Sequence, residues 1–529
     1  MSTSTSELVV GFRAAETSDR ALLGGKGSGL VDMTRLGIPV PPGFVLTTAC
    51  GLRHREAGSL PTEAQAAVQA HLAVLEREIG RRFGDLDDPL LVSVRSGAPV
   101  SMPGMMDTIL NVGLTPDSVA RLASATGDAR FAYSSFEHLL SGFATSVREL
   151  PPDLVDDAVE GLDRDTAEGA RQRCTALLAT IEAETGSRFP APEGQLTEAI
   201  AAVFASWDSR RARAYRRHKG IDDSIGTAVV VQAMVYGNRS DTSGSGVAFT
   251  RDPASGAPGA CGEYLPRAQG EDVVSGRFES RGLGALAVTL PRTHAELAAV
   301  LDRLERHATD MCDVEFTVES EKVWILQTRV GQRSSRAAVR IAVDLAREGI
   351  ISTAEAVRRI DERALARLPR TADPAPDRDA LIARGIASSC GAATGLAVFD
   401  ADAAAEYAAQ GRRVVLIRPT TSPSDMSGLI ASAAVVTGRG GPMSHAAVVA
   451  RGMDRPAVCG VGPIEISADG RTATVDGRSV HVGEAITVDG DNGWLARGEL
   501  ELVDAEDDPD YHRYLQWRHE LHDTDEEQP

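Results

Sequence analysis

The sequence contains few cysteines, and none of them are paired at the spacing of a metal site. Its six cysteines are scattered along 529 residues, and no CxxC motif occurs. Structural zinc sites and disulfide frameworks usually show closely spaced cysteine pairs. The cysteines are therefore better explained as reduced thiols of a cytosolic enzyme than as disulfides or zinc ligands.

Several other features are also absent. No apolar run approaches the roughly 18 residues of a membrane-spanning helix. Residues 1–8 lack the basic start and apolar centre of a signal peptide. The net charge of −20 argues against nucleic acid or an anionic membrane as the main partner. We therefore expect a cytoplasmic globular protein of two to four domains, with neither a nucleic-acid nor a membrane partner.

Strand-like and helix-like patterns alternate along the chain and predict a mixed α/β (α+β) fold. Residues 1–334 form the first predicted domain, with a helical insertion at about 115–220. Residues 335–380 are predicted to be a helical linker and hinge, and residues 381–503 a compact β-rich domain. The acidic residues 504–529 are predicted to be a solvated tail or the beginning of a connector.

The linker contains a Pro- and Asp-rich segment, Arg370–Asp377. Proline-rich linkers are semi-rigid, so we expect this segment to act as a hinge, centred near Pro374–Pro376.

The stretch Gly438–Met453 contains one histidine, His445, directly after a Gly-Gly-Pro-Met-Ser sequence. The glycines permit a tight turn, and Ser444 is a suitable N-cap for a short apolar helix. The amino end of a helix favours phosphate groups, and a neutral imidazole can accept a phosphoryl group and pass it on. The alternative is a capped helix whose histidine has no chemical role.

Two basic residues lie in glycine-containing segments near the amino terminus. Lys26 lies in Leu22–Leu30, which we predict to be a glycine-rich loop, and Arg95 lies near the end of an apolar strand. The following segment, Ser101–Thr108, is a second loop that could cover phosphates. Taken alone, Lys26 could be a surface lysine, Arg95 a structural ion-pair partner and the loop methionines core filler.

Two predicted neighbouring strands carry polar residues at alternate positions. Asp313 and Glu315 share one face of the first strand, and Gln327 and Arg329 share one face of the second. Because Mg²⁺ prefers oxygen ligands shared with substrate phosphates, this set could hold a magnesium triphosphate. The alternative is an ion-pair ladder across a hairpin.

Long segments of the chain resemble the pyruvate phosphate dikinase family. They include the strings Gly-Ile-Pro-Val-Pro-Pro-Gly-Phe and Gly-Val-Ala-Phe-Thr-Arg-Asp-Pro. The similar segments are Gly24–Cys50, Leu91–Leu114, Gly226–Val274, Asp313–Arg329 and Ser389–Gly460.

This resemblance implies an ATP-grasp nucleotide-binding domain followed by a swivelling phosphohistidine domain. In the family, the residue that matches His445 carries the phosphoryl group, and Mg²⁺ accompanies ATP. The residues matching Glu315 and Gln327 contact that metal. The family's ATP-binding residues match Lys26, Arg95, Asp313, Glu315, Gln327 and Arg329.

The resemblance also implies a reaction. The β-phosphoryl group of ATP would move to His445, giving AMP with pyrophosphate or phosphate, and then to an acceptor. The family continues into a barrel that binds phosphoenolpyruvate and pyruvate, and no part of this sequence resembles that barrel. We therefore expect a separate barrel subunit, as in a split dikinase. The alternatives are a pathway-specific kinase or ligase with another small acceptor, or a non-catalytic ATP-binding regulator.

Two features beside the histidine bear on regulation and on the reaction, and the first departs from the family pattern. Pro442-Met443 stands where the family usually has Met-Thr, so a regulatory phosphorylation reported for that threonine has no acceptor here. Ser444 precedes the histidine, as in the dikinases, whereas phosphoenolpyruvate synthases tend to have cysteine. This serine favours phosphate over water as the acceptor of the γ-phosphate.

Overall fold

The computed structural model describes most of the chain and divides it into two compact units. The described residues are 8–526 except 101, 103–104, 275–280, 361–370, 373–374, 423–424, 443 and 504–507. The first unit comprises Met1–Arg239 and Trp324–Thr328, and the second comprises Ser240–Val323 and Arg329–Pro529.

The first unit contains a five-stranded antiparallel sheet in the order β1-β2-β5-β3-β4. All six residues of its central strand β5 are buried, as expected for a short continuous apolar run inside a core. The strands are β1 Val9–Gly11, β2 Gly43–Leu46, β3 Val92–Gly97, β4 Thr108–Val112 and β5 Ala228–Ala233.

Helices cover this sheet and fill the region between β4 and β5. Apolar residues recur every three or four positions in helix α3, and this face is buried in the core. The helical stretch predicted at about 115–220 is confirmed by α4 to α9. The helices are α1 Arg20–Arg35, α2 Thr48–Ala57, α3 Thr62–Ile79, α4 Pro116–Thr126, α5 Ala129–Gly142, α6 Pro152–Asp157, α7 Ala167–Thr185, α8 Pro192–Ala205 and α9 Arg210–Lys219.

The second unit begins with an antiparallel arrangement in which β9, β6, β7 and β8 are successive neighbours. The strands are β6 Gly244–Arg251, β7 Pro258–Pro266, β8 Arg281–Gly282, β9 Cys312–Glu319 and β10 Lys322–Val330. The middle of β10 belongs to the first unit. The helices of this part are α10 Gly270–Val274, α11 Leu283–Thr289, α12 Pro291–Ala308, α13 Ser335–Arg347 and α14 Thr353–Arg359.

The rest of the second unit is built on an eight-stranded sheet in the order β12-β22-β21-β14-β15-β16-β17-β13. Its strands β14 to β17 are parallel and alternate with helices α15, α16 and α17, as parallel neighbours require. The elements are β11 Thr371–Ala372, β12 Leu381–Arg384, β13 Ile386–Ser389, β14 Ala392–Val398, α15 Ala401–Ala409, β15 Val414–Arg418, α16 Met426–Ala431, β16 Ala434–Thr437, α17 His445–Gly452, β17 Ala457–Cys459, β18 Ile464–Ile466, β19 Thr472–Val475, β20 Arg478–His481, β21 Ala485–Asp489, β22 Trp494–Arg497, β23 Leu502–Val503 and α18 Pro509–Glu526.

The mixed α/β fold class is confirmed. The predicted domain boundaries at 334/335, 380/381 and 503/504 stay predictions. The predicted hinge includes Pro374, which lies outside the described residues, and so do residues 361–370 of the predicted linker helix.

The prediction of a solvated tail is wrong for the described part of residues 504–529. Residues Pro509–Glu526 form helix α18, and Tyr514 is only 2% exposed. Tyr514 packs with Val343 of α13 and Ala356 of α14, and Trp517 lies against the same cluster. The segment is acidic overall but has a short apolar face, and burial of this face determines its structure.

The prediction of a loop at Leu22–Leu30 is also wrong. These residues belong to α1, which is interrupted at Gly24, where φ is 68° and ψ is 168°. Gly24, the first glycine of this segment, therefore lies at a break within a helix and not in an extended loop. Among the described helices, none is long and apolar enough to cross a membrane.

Candidate active site

His445 lies at the start of the helix that connects two parallel strands. Strand β16 ends at Thr437, a turn follows, and α17 begins at His445. Gly440 has a φ of 102°, a conformation that favours glycine. Ser444 is the N-cap, as predicted, and its side chain accepts a hydrogen bond from the backbone N–H of Ala447. His445 is therefore held at the carboxyl end of a strand, where open α/β sheets bind ligands.

The imidazole of His445 is partly buried and kept neutral. Burial lowers its pKa, and the negative charge of Asp425 opposes that effect. Asp425 is itself buried, and Arg418 Nη2 lies 3.3 Å from its Oδ1. Within the described part of the chain, the buried Nε2 of His445 has no hydrogen-bond partner. A neutral ring with an unengaged nitrogen has the properties of a nucleophile.

In the first unit, Lys26 and Arg95 both lie near the end of strand β3. Gly24 packs so tightly that an added Cβ would lie 1.6 Å from the carbonyl oxygen of Gly97. The next residue, Gly25, donates its backbone N–H to Ala98 over 2.9 Å. This contact fixes Lys26 at the beginning of the second segment of α1, beside the end of the strand that carries Arg95.

Arg95 also orients the strand that carries Gln327. Its Nη1 donates to the carbonyl oxygen of Leu326 over 3.1 Å and to Oε1 of Gln232 over 3.4 Å. Leu326 immediately precedes Gln327 in β10. The first unit thus brings together three of the predicted nucleotide-binding residues: Lys26, Arg95 and Gln327.

In the second unit, Arg329 contacts both Asp313 and Glu315, the other predicted nucleotide-binding residues. Arg329 Nε donates to Oδ2 of Asp313 over 2.7 Å, and its Nη2 lies 3.7 Å from Oε1 of Glu315. Burial raises the pKa of Asp313, and the charge and hydrogen bond of Arg329 oppose that shift. Asp313 and Glu315 therefore share one strand face, as predicted.

The donor chemistry of this second group fits magnesium bound together with phosphates. Asp313 Oδ1 is buried and has no hydrogen-bond partner among the described atoms. In the described ranges, no group of three His, Cys, Asp or Glu side chains could hold a metal by itself. Mg²⁺ commonly takes one or two carboxylates and completes its shell with substrate phosphates and water, so the residues fit that cation.

Two residues of the site were not identified from the sequence. Asp425 follows strand β15 in an unremarkable Ser- and Thr-rich segment, and only the parallel sheet brings it to His445. Arg451 lies six positions after His445 and is only 2% exposed, with Nη1 donating to the carbonyl oxygen of Ser388 over 2.7 Å. A basic residue inside an apolar helix of such a motif was the available signal for Arg451.

Two parts of the chain match known protein families. Residues 56–283 and 289–349 match the family described as pyruvate phosphate dikinase, AMP/ATP-binding domain. Residues 410–493 match the PEP-utilising enzyme, mobile domain. The fold and the two family matches together define a class of enzymes that combines an AMP/ATP-binding domain with a mobile domain. The chain belongs to the pyruvate phosphate dikinase family.

Relatives show the same similarity over nearly the whole chain. Pyruvate, phosphate dikinase of Rhizobium meliloti is 41% identical over 96% of this chain and 59% of its own length. The enzyme of Clostridium symbiosum is 41% identical over 96% of this chain and 60% of its own. The chloroplastic enzyme of Flaveria trinervia is 40% identical over 94% and 54%, respectively. The chain thus spans less than two thirds of the length of these relatives.

Proposed function

We propose that the chain transfers the β-phosphoryl group of ATP to His445. The imidazole nitrogen attacks the β-phosphorus, a P–N bond forms, and the bond from that phosphorus to the oxygen of the α-phosphate breaks. AMP leaves with that oxygen. His445 then carries the β- and γ-phosphates together. Phosphate or water attacks the γ-phosphorus, and the bond from that phosphorus to the β–γ bridging oxygen breaks. Pyrophosphate or phosphate leaves, and the β-phosphoryl group stays on His445. Ser444, which precedes the histidine as in the dikinases, favours phosphate.

The observation that supports this proposal most strongly is the state of His445. Its Nε2 is buried without a partner among the described residues, and burial lowers the pKa of the ring. A structural histidine would normally have its buried nitrogens paired, since an unpaired buried polar atom costs free energy. The amino end of α17 adds backbone N–H groups that favour a phosphoryl group.

We propose that the six polar residues of the two units serve nucleotide binding. Lys26 and Arg95 neutralise phosphate charge, as phosphoryl transfer requires. Arg329 is held by Asp313 and adds a third positive charge. Glu315 and Gln327 are the proposed ligands of Mg²⁺, which when bound supplies charge neutralisation at the phosphates. Because Glu315 and Gln327 belong to different units, their joint action on one ion rests on the family resemblance.

We further propose that the final acceptor is pyruvate, bound by a separate barrel subunit. Support for pyruvate comes from the relatives, which are named pyruvate, phosphate dikinase. The phosphohistidine domain would swing about the segment near Pro376 to reach that acceptor.

Labelled ATP tests the proposal directly. The chain is incubated with ATP labelled at the β- or γ-phosphorus, with and without phosphate, and label is followed on protein and in products. We expect β-label on protein together with release of AMP. Addition of a barrel protein and pyruvate should then discharge the label into phosphoenolpyruvate. Phosphoenolpyruvate synthesis by the purified chain alone would contradict the separate acceptor site.

A further inference from the structure

The helix that begins at His445 is held at its other end by two charged residues. Arg451 is buried near the carboxyl end of α17, and Asp454 follows that end. Asp454 accepts hydrogen bonds from the backbone N–H and the hydroxyl of Ser335, over 2.7 and 2.8 Å. Ser335 starts α13, so this contact joins the phosphohistidine region to the part of the second unit that precedes it.

Arg451 makes a second connection, toward the strands of the proposed nucleotide site. Its guanidinium carbon lies 5.9 Å from the centre of the Phe249 ring. Phe249 on β6 is directly opposite Asp313 on β9 in the antiparallel register. Burial lowers the pKa of Arg451, while the negative charges of Asp252 and Asp313 oppose this effect. Asp313 is thus one of the carboxylates whose charge acts on Arg451.

Burying an arginine is costly unless its charge has partners. Arg451 Nη1 donates to Ser388, but its Nε is buried without a hydrogen-bond partner in the described residues. The contact with the Phe249 ring and the charges of Asp252 and Asp313 supply further compensation, and Asp313 is the one of these two carboxylates that pairs with Arg329. Asp313 in turn pairs with Arg329, which lies 3.7 Å from Glu315, so a charge that acts on Arg451 belongs to the predicted nucleotide-binding group.

We propose that Arg451 is a positioning residue that holds the helix of His445 against the strand of Asp313 and Glu315 during phosphoryl transfer. This inference rests on the proposed function. A helix of eight residues is a rigid rod, so a fixed carboxyl end determines where the imidazole at its amino end lies. Misplacement of reacting groups by about 1 Å can cost on the order of 10²-fold in rate.

The test is single-turnover labelling of His445 from β-labelled ATP in the full chain. Arg451→Met should lower the maximal rate constant about 10- to 100-fold and leave the half-saturating ATP concentration within about twofold. Arg451→Lys keeps the charge and should recover most of the rate. Arg471→Met, an exposed arginine in the same region, is the matched control.

Rate and amplitude separate positioning from simple loss of folding. A partly unfolded variant lowers the labelled fraction but not the rate constant of the folded molecules. If Arg451→Met labels at the wild-type rate, or if Arg451→Lys remains folded and is as slow as Arg451→Met, the inference is wrong.

A double variant tests whether Asp313 is the electrostatic partner of Arg451. If Asp313 is the group that Arg451 faces, adding Arg451→Met to Asp313→Asn should slow labelling by less than about threefold more. A full further loss would exclude Asp313 as the partner.

Hydrogen exchange gives a readout that needs no ATP. The amides of residues 445–460 should exchange faster in Arg451→Met than in the wild type or in Arg471→Met. If the wild type is not labelled on His445, the proposed function is wrong, and unchanged exchange would then overturn the positioning role as well.

Discussion

Arg329 and Asp313 form a close ion pair, with Nε of the arginine 2.7 Å from Oδ2 of the carboxylate. The same arginine lies 3.7 Å from Glu315. This arrangement leaves the second oxygen of Asp313 buried without a partner among the described atoms. The strand pair therefore presents both a fixed positive charge and carboxylate oxygens, the combination that a magnesium–phosphate group requires.

His445→Ala should abolish protein labelling from β-labelled ATP, because it removes the proposed phosphoryl acceptor. In the wild type the label should be acid-labile and base-stable, as a phosphoramidate is, and in the presence of phosphate γ-labelled ATP should leave none on the protein. His481→Ala is a suitable control, since His481 is an exposed histidine of the same region. A fully labelled His445→Ala protein would refute the assignment.

Lys26→Ala, Arg95→Ala and Glu315→Ala should each slow this labelling on the order of 10²–10³-fold while the protein stays folded, because each removes one preorganised charge. Labelling rates and circular dichroism spectra measure the two effects. Lys219→Ala, at the last residue of the basic helix α9, is a control for lost positive charge. Normal labelling by Glu315→Ala at low Mg²⁺ would show that the metal site is misplaced.

The labelling rate should rise with pH to a plateau, because only the neutral imidazole attacks. The midpoint of this rise should lie below the ordinary histidine pKa of about 6.5, because burial lowers the pKa of His445. Asp425→Asn removes the carboxylate that raises this pKa, so the midpoint should move to still lower pH. Single-turnover rates between about pH 5 and about pH 8 measure both midpoints. A midpoint above the ordinary histidine value, or an upward move in Asp425→Asn, would contradict the proposed electrostatics.

Tyr514→Ala should destabilise the protein by about 3 kcal/mol, since it removes a buried aromatic side chain from the contact of α18 with α13 and α14. Denaturant unfolding, followed by tryptophan fluorescence, measures the change. His512→Ala lies on the same helix at an exposed position and should change stability by less than about 0.5 kcal/mol. Equal effects of the two substitutions would contradict the packing of α18.

The elements that could be predicted from the sequence are those with strong local signals. The helix of His445 has an N-cap and an apolar face, and β5 is a continuous apolar run, so both follow from local rules. The break at Gly24 and the folded tail could not be predicted in this way. The first depends on a contact with Gly97 from another element, and the second on an apolar face formed by partners in α13 and α14.

The same distinction applies to the candidate site. His445, Asp313 and Glu315 lie in recognisable strings, whereas Asp425 reaches the imidazole only because β15 and β16 are adjacent and parallel. The roles of His445 and of the six predicted nucleotide-binding residues stay predictions.

The path of β10 limits how the chain can be divided. Its residues Trp324–Thr328 belong with Met1–Arg239, although more than eighty residues of the other unit separate them in sequence. A fragment cut after Arg239 would lack the Leu326 carbonyl oxygen that accepts from Arg95, and the Ile325 amide that donates to Pro39. The first unit is therefore complete only when a later part of the same polypeptide has been synthesised, and during translation Arg95 gains its Leu326 partner only after β10 has emerged.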